Sequence, residues 1–180
     1  MSKESVLVNS CNMMNAKPIV MALPYPLQQV QAKNQAYANL LSIDYCGSVS
    51  ELSAITQYIN FESRLCGVKC QVAQVILGIA MAEMMHLQKL GELIVLLGGK
   101  LDYSARLQNG KQALWTPEYL TLADNGRQMV QVGIASEKEA IKQYRMHIKM
   151  IQDPCIRAVL ARIIQDEEYH IMTLNALLAS

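Results

Sequence analysis

Two parts of the chain repeat each other, and this duplication constrains the fold more than any other feature of the sequence. Residues 47–58 match residues 133–144 at seven of twelve positions, at an offset of 86. A second match, at an offset of 84, pairs Ile79, Glu83, His86 and Leu90 with Ile163, Glu167, His170 and Leu174. The sequence therefore predicts two helical hairpins related by duplication, each with one Glu on its first helix and a Glu-x-x-His motif on its second.

Apolar residues recur at helical spacing in four runs, which cover residues 34–67, 68–97, 124–150 and 154–178. Gly98 and Gly99 are typical of a helix end, and Asp153 followed by Pro154 is typical of a helix start. The first and last connections are short, whereas about 25 residues separate the second and third runs. We therefore expect an all-α, up-down four-helix bundle with a long crossover between helices 2 and 3.

The first 33 residues predict a different kind of structure. They hold three of the five prolines and show little helical periodicity. The apolar run from Ile19 to Leu23 indicates that this segment lies against another surface. We expect residues 1–33 to form an extended N-terminal arm and residues 34–180 to form one bundle domain, which is a usual domain size.

The charge balance excludes some partners and favours others. The chain has 180 residues, with 16 Lys and Arg against 15 Asp and Glu and a net charge of +1. Because this balance provides no basic face for phosphates, we expect no nucleic-acid partner. Only 17% of the residues are charged, against roughly 25% in typical soluble domains. We therefore expect a homodimer or a higher homo-oligomer.

The sequence also gives little sign of a membrane segment. By inspection, no stretch approaches the roughly 20 apolar residues that cross a bilayer. Residues 1–13 lack the basic start and long apolar core of a secretory signal. We expect a cytoplasmic protein with no membrane contact.

The cysteines leave two interpretations open. There are five, Cys11, Cys46, Cys66, Cys70 and Cys155, and none of them forms a C-x-x-C pair. Cys66 and Cys70 are four residues apart and could lie one helical turn from each other. We favour ordinary thiols in a reducing compartment over a redox or metal-binding pair.

The Glu and His residues of the repeat predict a metal centre. Residues three apart share a helix face, so Glu83 with His86, and Glu167 with His170, can each point a carboxylate and an imidazole at one spot. Chance would give roughly 0.17 such pairs from ten Glu and three His, and two are present. With Glu51 and Glu137 added, the set has four carboxylates and two imidazoles, the ligand pattern of di-iron and di-manganese bundles. Oxygen and nitrogen ligands without thiolate suit two ions of iron or manganese equally.

These motifs resemble those of a known family. Across residues 34–178 the sequence is similar to the ferritin-like, rubrerythrin-type di-metal carboxylate proteins, which are akin to manganese catalases and bacterioferritins. The resemblance implies a ferritin-like bundle in which Glu83 and Glu167 bridge two metals. It implies terminal carboxylates from Glu51 and Glu137 and one imidazole per metal. The motifs that carry it are Glu51-x6-Tyr58, Glu83-x-x-His86, Glu137-x6-Tyr144 and Glu167-x-x-His170.

Other residues near these motifs are candidates for supporting roles. Tyr58 and Tyr144 each follow a ligand Glu by seven residues, so they could hydrogen-bond a carboxylate across the bundle and act in catalysis, or serve as core tyrosines. Asp166 is a candidate acceptor for an imidazole on a facing helix. Gly47 and Gly133 precede the ligand Glu by one turn and indicate close packing or open space. His147 lies off the ligand face, which predicts a surface or interhelical position. 

The resemblance implies an oxidoreductase that acts on hydrogen peroxide or dioxygen. Rubrerythrin-like peroxidase, catalase and ferroxidase activities all remain open. A peroxidase would take electrons from a donor protein, because the C-x-x-C pairs of the rubrerythrin iron-sulfur domain do not occur in this sequence. A catalase would need no donor. The alternative is a non-catalytic metal-binding or structural component of a stress-related or spore-associated assembly, in which the arm docks on a neighbouring subunit.

Overall fold

The computed structural model describes residues 11, 16–107 and 109–179. In this part of the chain, five α-helices and one β-hairpin account for the regular structure, apart from a short 3-10 helix at Pro117–Tyr119. The helices are α1 (Gln35–Cys46), α2 (Glu51–Leu65), α3 (Cys70–Leu96), α4 (Gly126–Met150) and α5 (Pro154–Ala179), and the strands are β1 (Ser104–Arg106) and β2 (Gln112–Leu114).

Helices α2 to α5 form the predicted four-helix bundle. α2 packs mainly against α3, and α4 packs mainly against α5. Three to four residues join the helices within each pair, which makes the two members antiparallel. Residues 97–125 connect α3 to α4 as the long crossover. The prediction of an all-α bundle with this connectivity is therefore confirmed.

The first predicted helix is wrong in one respect, because the structure divides it into α1 and α2. Gly47 ends α1 with an extended ψ of -169°. A side chain at Gly47 would place its Cβ 2.6 Å from the carbonyl oxygen of Ile43, so only glycine fits there. Ser50 then begins α2: its hydroxyl donates to the carbonyl of Gly47 at 2.7 Å and accepts from the backbone N–H of Ser53 at 3.2 Å. Gly47 is thus a helix end, whereas its repeat partner Gly133 lies inside α4.

The hydrophobic core consists of two clusters with a polar layer between them. On α3, Ile79 belongs to one cluster and Leu90 to the other, and the Glu83 and His86 positions lie between them. The same order holds on α5, where Ile163 and Leu174 belong to different clusters. Burial of these apolar layers stabilises the fold by about 25 cal/mol per Å². It also removes the intervening polar residues from water.

The crossover contains the only strands among the described residues, and the all-α prediction did not include them. β1 and β2 pair antiparallel, with Ala105 opposite Ala113. Beyond this hairpin, the crossover is tied to α2 by two hydrogen bonds. Trp115 Nε1 donates to the Ser53 hydroxyl at 3.0 Å, and the backbone N–H of Thr121 donates to Gln57 Oε1 at 2.7 Å. These bonds hold the crossover beside the N-terminal half of α2.

The described part of the N-terminal arm lies against the chain's own bundle. Residues 16–33 contain no helix or strand and run between α3 and α5. The backbone N–H of Ile19 donates to the carbonyl of Gly78 at 2.9 Å. A Cβ at Gly78 would lie 2.8 Å from the carbonyl oxygen of Lys17, so glycine allows the arm to approach α3. Residues 1–10 and 12–15 of the predicted arm lie outside the described residues.

The prediction of five ordinary thiols is wrong for two of them. Cys11 and Cys70 form a disulfide that joins the arm to the first residue of α3. The bonded pair is therefore not Cys66 with Cys70, as the spacing would have suggested for a redox pair. Cys46, Cys66 and Cys155 have free thiols. Cys11 and Cys70 are 59 positions apart in the sequence, and no spacing rule connects positions that far apart.

Helix α3 is more apolar than the sequence patterns predicted. It has 27 residues, and its most apolar stretch of 18 residues has a mean hydropathy of 1.4. By length and composition alone, it could cross a membrane. The core helix of a soluble protein meets the same criteria. In the structure α3 packs against α1, α2 and α5, and 44% of that stretch is buried.

Candidate metal centre

Six side chains from four helices converge in the polar layer of the bundle. α2 contributes Glu51 and α4 contributes Glu137, while α3 and α5 each contribute a Glu and a His. All six are at most 3% exposed. Their donor atoms form two groups within which every pair of atoms lies within 4.8 Å. The groups are Glu51, Glu83, His86 and Glu167, and Glu83, Glu137, Glu167 and His170.

Glu83 and Glu167 belong to both groups, and each divides its two oxygens between them. Glu83 Oε2 lies 2.9 Å from His86 Nδ1, and Glu83 Oε1 lies 3.2 Å from His170 Nδ1. Glu167 Oε1 lies 3.3 Å from His86 Nδ1, and Glu167 Oε2 lies 2.9 Å from His170 Nδ1. This is the placement that a carboxylate bridging two cations requires.

The unpaired atoms of the site show that it fits cations. Glu83 Oε1, Glu167 Oε2 and His170 Nδ1 are buried, and none of them has a hydrogen-bond partner among the described residues. Buried polar atoms normally have a bonding partner, so the three unpaired atoms indicate that a ligand binds here. Ligand atoms about 2.1 Å from a shared octahedral ion lie roughly 3 Å from each other, which is the separation observed here. Two cations, one in each group, would satisfy all three atoms.

The electrostatics of the site show what the cations would replace. Burial, with the charge of Glu83, raises the pKa of Glu51 well above its ordinary value and that of Glu137 to about 8. Burial would also raise the pKa of Glu83, but the facing imidazoles of His170 and His86 outweigh it and lower that pKa. Burial alone would lower the pKa of both imidazoles, but the surrounding carboxylates raise both. Without cations, the site therefore favours protonated carboxyls at Glu51 and Glu137 and charged imidazoles at His86 and His170.

The two tyrosines of the repeat each bond a ligand from the other hairpin. The Tyr144 hydroxyl donates to Glu51 Oε1, and the Tyr58 hydroxyl donates to Glu137 Oε1. Burial raises the pKa of both phenols well above the ordinary value, so both keep their protons. A Cβ at Gly133 would lie 3.1 Å from the Tyr58 oxygen, so Gly133 serves close packing and not open space. A catalytic role for either tyrosine stays a prediction.

Residues that the two repeats do not share hold the outer nitrogen of each imidazole. His86 Nε2 lies 3.1 Å from Asp166 Oδ2 and 3.0 Å from the Tyr25 hydroxyl, and His170 Nε2 lies 2.7 Å from the carbonyl oxygen of Ile19. The sequence pointed to Asp166 but not to the two arm residues. Burial would raise the pKa of Asp166, but hydrogen bonds from His86, Tyr25 and Arg162 hold it at about 2. No local pattern distinguishes Tyr25 or Ile19 from other arm residues.

A cavity of about 340 Å³ reaches the ligands from the side of α2 and α4. The crossover forms part of its wall through Tyr119 and Thr121, and the small residues Ala54 and Ala140 line it beside the carboxylates. The arm lies on the other side, between α3 and α5. A small molecule can therefore approach the site from the cavity, while the arm covers the opposite side.

The sequence left a surface or an interhelical position open for His147, and the structure shows the interhelical one. It is fully buried, and its Nδ1 lies 2.8 Å from Asp44 Oδ2 on α1. Gln143 supports the same carboxylate, donating from Nε2 to Asp44 Oδ1 at 2.8 Å. Burial raises the pKa of Asp44. His147 belongs to neither ligand group and joins α4 to α1.

The fold and the site define a class: a four-helix bundle with a carboxylate and imidazole centre for two cations, as in the di-metal carboxylate proteins. The rubrerythrin family model matches residues 47–178, and the chain belongs to this family. The matched segment contains all six ligand candidates and both tyrosines. It begins at the glycine that separates α1 from α2.

Solved structures with the same fold include two kinds of protein. The manganese catalase KatB from Anabaena is 21% identical, with a TM-score of 0.76 over 88% of this chain and 78% of that one. The bacterioferritin BfrA of Mycobacterium tuberculosis is 22% identical, with a TM-score of 0.65 over 83% of this chain and 87% of that one. At these identities the likeness concerns the fold, and it confirms the ferritin-like bundle. No curated protein matches the sequence significantly.

Proposed function

We propose that this protein is a di-metal oxidoreductase that acts on hydrogen peroxide, with two ions of iron or manganese as cofactors. The observation that carries the proposal is the shared position of Glu83 and Glu167, each of which offers one oxygen to either ligand group. When bound there, a pair of redox-active ions supplies two electrons' worth of oxidation and reduction. The manganese catalase neighbour supports peroxide as the substrate, and dioxygen is the second candidate oxidant.

The cavity suits a substrate of this size. Its volume of about 340 Å³ exceeds the roughly 30 Å³ share of one water molecule, so it admits hydrogen peroxide together with water. Glu51, Glu137, Tyr58 and Tyr144 all line it. The two phenols hold their protons at Oη and fix the terminal carboxylates by hydrogen bonds. They therefore orient two of the four ligand carboxylates that line the cavity.

Two reactions of peroxide can be separated by their stoichiometry. Disproportionation converts two molecules of hydrogen peroxide into two of water and one of dioxygen, and it needs no external donor. Reduction of one molecule to two of water consumes two electrons and two protons, so it needs an electron-donor protein. The oxidation of ferrous iron is a third candidate reaction, which the resemblance to the ferritin-like di-metal proteins implies.

The test uses purified protein loaded with either manganese or iron. Peroxide consumption and dioxygen evolution are followed together, and ferrous-iron oxidation is followed by absorbance. We expect peroxide consumption that Glu83→Gln abolishes, because this change removes a ligand shared by both groups. Glu92→Gln is the matched control, since Glu92 is an exposed residue of the same helix.

The outcomes distinguish the candidate functions. Dioxygen evolved at one molecule per two of peroxide indicates a catalase, and peroxide consumption only with an added reductant indicates a peroxidase. Ferrous-iron oxidation without peroxide consumption indicates a ferroxidase. If the loaded protein binds two ions but shows none of these activities above Glu83→Gln, the oxidoreductase proposal is wrong and the non-catalytic alternative replaces it.

A further inference from the structure

Both ligand imidazoles turn their outer nitrogen toward the arm, but they meet different partners there. His170 Nε2 meets the neutral carbonyl of Ile19. His86 Nε2 meets the Asp166 carboxylate and the Tyr25 hydroxyl. We propose that Ile19, Tyr25 and Asp166 are positioning residues of the metal centre, and that they make its two cation positions unequal, with the tighter position at His86. This inference rests on the two-cation site proposed above.

Ile19 links the arm to both helices that carry the Glu-x-x-His motifs. Its N–H donates to the Gly78 carbonyl on α3 at 2.9 Å, and its carbonyl accepts from His170 on α5 at 2.7 Å. With Nδ1 facing the carboxylates, the ring carries its hydrogen on Nε2, and the Ile19 carbonyl holds the ring in that orientation. The position of the arm depends on Gly78, because a Cβ there would lie 2.8 Å from the Lys17 oxygen and 2.9 Å from Ile19 Cγ1.

Asp166 is held more rigidly than an isolated carboxylate would be. Its Oδ1 lies 2.6 Å from Arg162 Nη1 and accepts from the backbone N–H of Met21 at 2.7 Å. Its Oδ2 accepts from the Tyr25 hydroxyl and faces His86 Nε2. Asp166 itself is fully buried. The arm thus contributes two of the groups that fix this carboxylate against the imidazole.

The two outer partners differ in charge, and this difference reaches the metal ligands. A carboxylate that accepts the outer N–H of an imidazole makes the inner nitrogen a stronger donor than a neutral carbonyl does. The duplication does not supply the same partner twice, because the repeat counterpart of Asp166 is Ala82. The arm provides the Ile19 carbonyl instead. A cation beside His86 therefore gains more from its imidazole than a cation beside His170.

The experiment measures Mn²⁺ binding at one position at a time, from the free Mn²⁺ signal in electron paramagnetic resonance. His170→Gln leaves the His86 group complete, and His86→Gln leaves the His170 group complete. We expect the His170→Gln protein to bind Mn²⁺ about 10-fold more tightly than the His86→Gln protein. Measuring each group alone avoids the repulsion between two bound ions, which would make the second ion weaker in any case.

Changes in the outer partners then assign the difference. Asp166→Asn should weaken Mn²⁺ binding about 10- to 100-fold in the His170→Gln protein and leave the His86→Gln protein nearly unchanged. Gly78→Ala must displace Ile19. It should therefore weaken Mn²⁺ binding in the His86→Gln protein and leave the His170→Gln protein nearly unchanged. Gly91→Ala is the control on the same helix, because its Cβ would meet only side-chain atoms of Tyr45 and Leu101, the nearest at 3.3 Å. Tyr25→Phe removes one hydroxyl and keeps the ring, so it replaces Asp166→Asn if that variant does not fold.

Two results would overturn the inference. One is equal affinity of the two single-position proteins for Mn²⁺. The other is an equal loss of Mn²⁺ affinity at the His86 and His170 positions from Asp166→Asn and from Gly78→Ala, which would indicate a general loss of structure. Neither result bears on peroxide turnover by the intact protein, so the proposed function can stand or fail separately.

Discussion

Proton release is the most quantitative consequence of the metal centre. Without cations, the raised pKa values of His86 and His170 favour charged imidazoles, and the raised pKa values of Glu51 and Glu137 favour neutral carboxyls. A cation cannot bind a donor atom that carries a proton. We therefore expect two divalent ions to displace between two and four protons at pH 7, one of them from Glu137, whose pKa of about 8 keeps it mostly protonated there.

The same count sets the pH dependence of binding. Protons compete with the ions, so affinity rises with pH while the pKa values of these four groups remain above the pH. Each displaced proton contributes about 1.4 kcal/mol per pH unit. Lowering the pH from 7 to 6 should therefore weaken the binding of the pair by about 3 to 5 kcal/mol, or roughly 10²- to 10⁴-fold in the product of the two binding constants.

Titration calorimetry in buffers of different ionisation enthalpy measures the number of protons released. Glu51→Gln removes one proton-bearing group and should lower that number by about one, provided that both ions still bind. Glu92→Gln, at an exposed position on α3, should leave it unchanged. Release of fewer than one proton per ion, or a less than tenfold change in the product between pH 7 and 6, would refute this account of the site.

Two further predictions concern stability. Gly133→Ala should lower the free energy of unfolding by about 1–3 kcal/mol, since its Cβ would lie 3.1 Å from the Tyr58 oxygen and 3.2 Å from Leu174. Chemical denaturation measures this loss, and a variant as stable as the parent would contradict the close packing at Gly133. Cys11→Ser should lower the free energy of unfolding by about 4 kcal/mol under oxidising conditions, because the disulfide closes a loop of 59 residues. This difference should vanish when both proteins are measured with reductant. A difference that persists with reductant would argue against the disulfide.

Much of the fold and the candidate site could be predicted because the relevant information is local. Helical periodicity operates over one or two turns, and Glu83 with His86 share a face because they are three residues apart. The duplication then related two such local patterns to each other without any coordinates. The sequence by itself thus determined the family, the bundle and the six side chains that the structure brings together.

Only the tertiary structure decided what surrounds those side chains. At the break between α1 and α2, Gly47 is required because the carbonyl oxygen of Ile43 leaves no room for a Cβ. The pairing of Asp44 with His147 joins residues 103 apart. Ile19 reaches His170 across 151 residues, and Cys11 reaches Cys70 across 59. The contacts of Ile19 and Cys11 follow from the path of an irregular arm over the bundle. A backbone carbonyl has no signature in the sequence, so the partner of His170 could be found only where the chain places it.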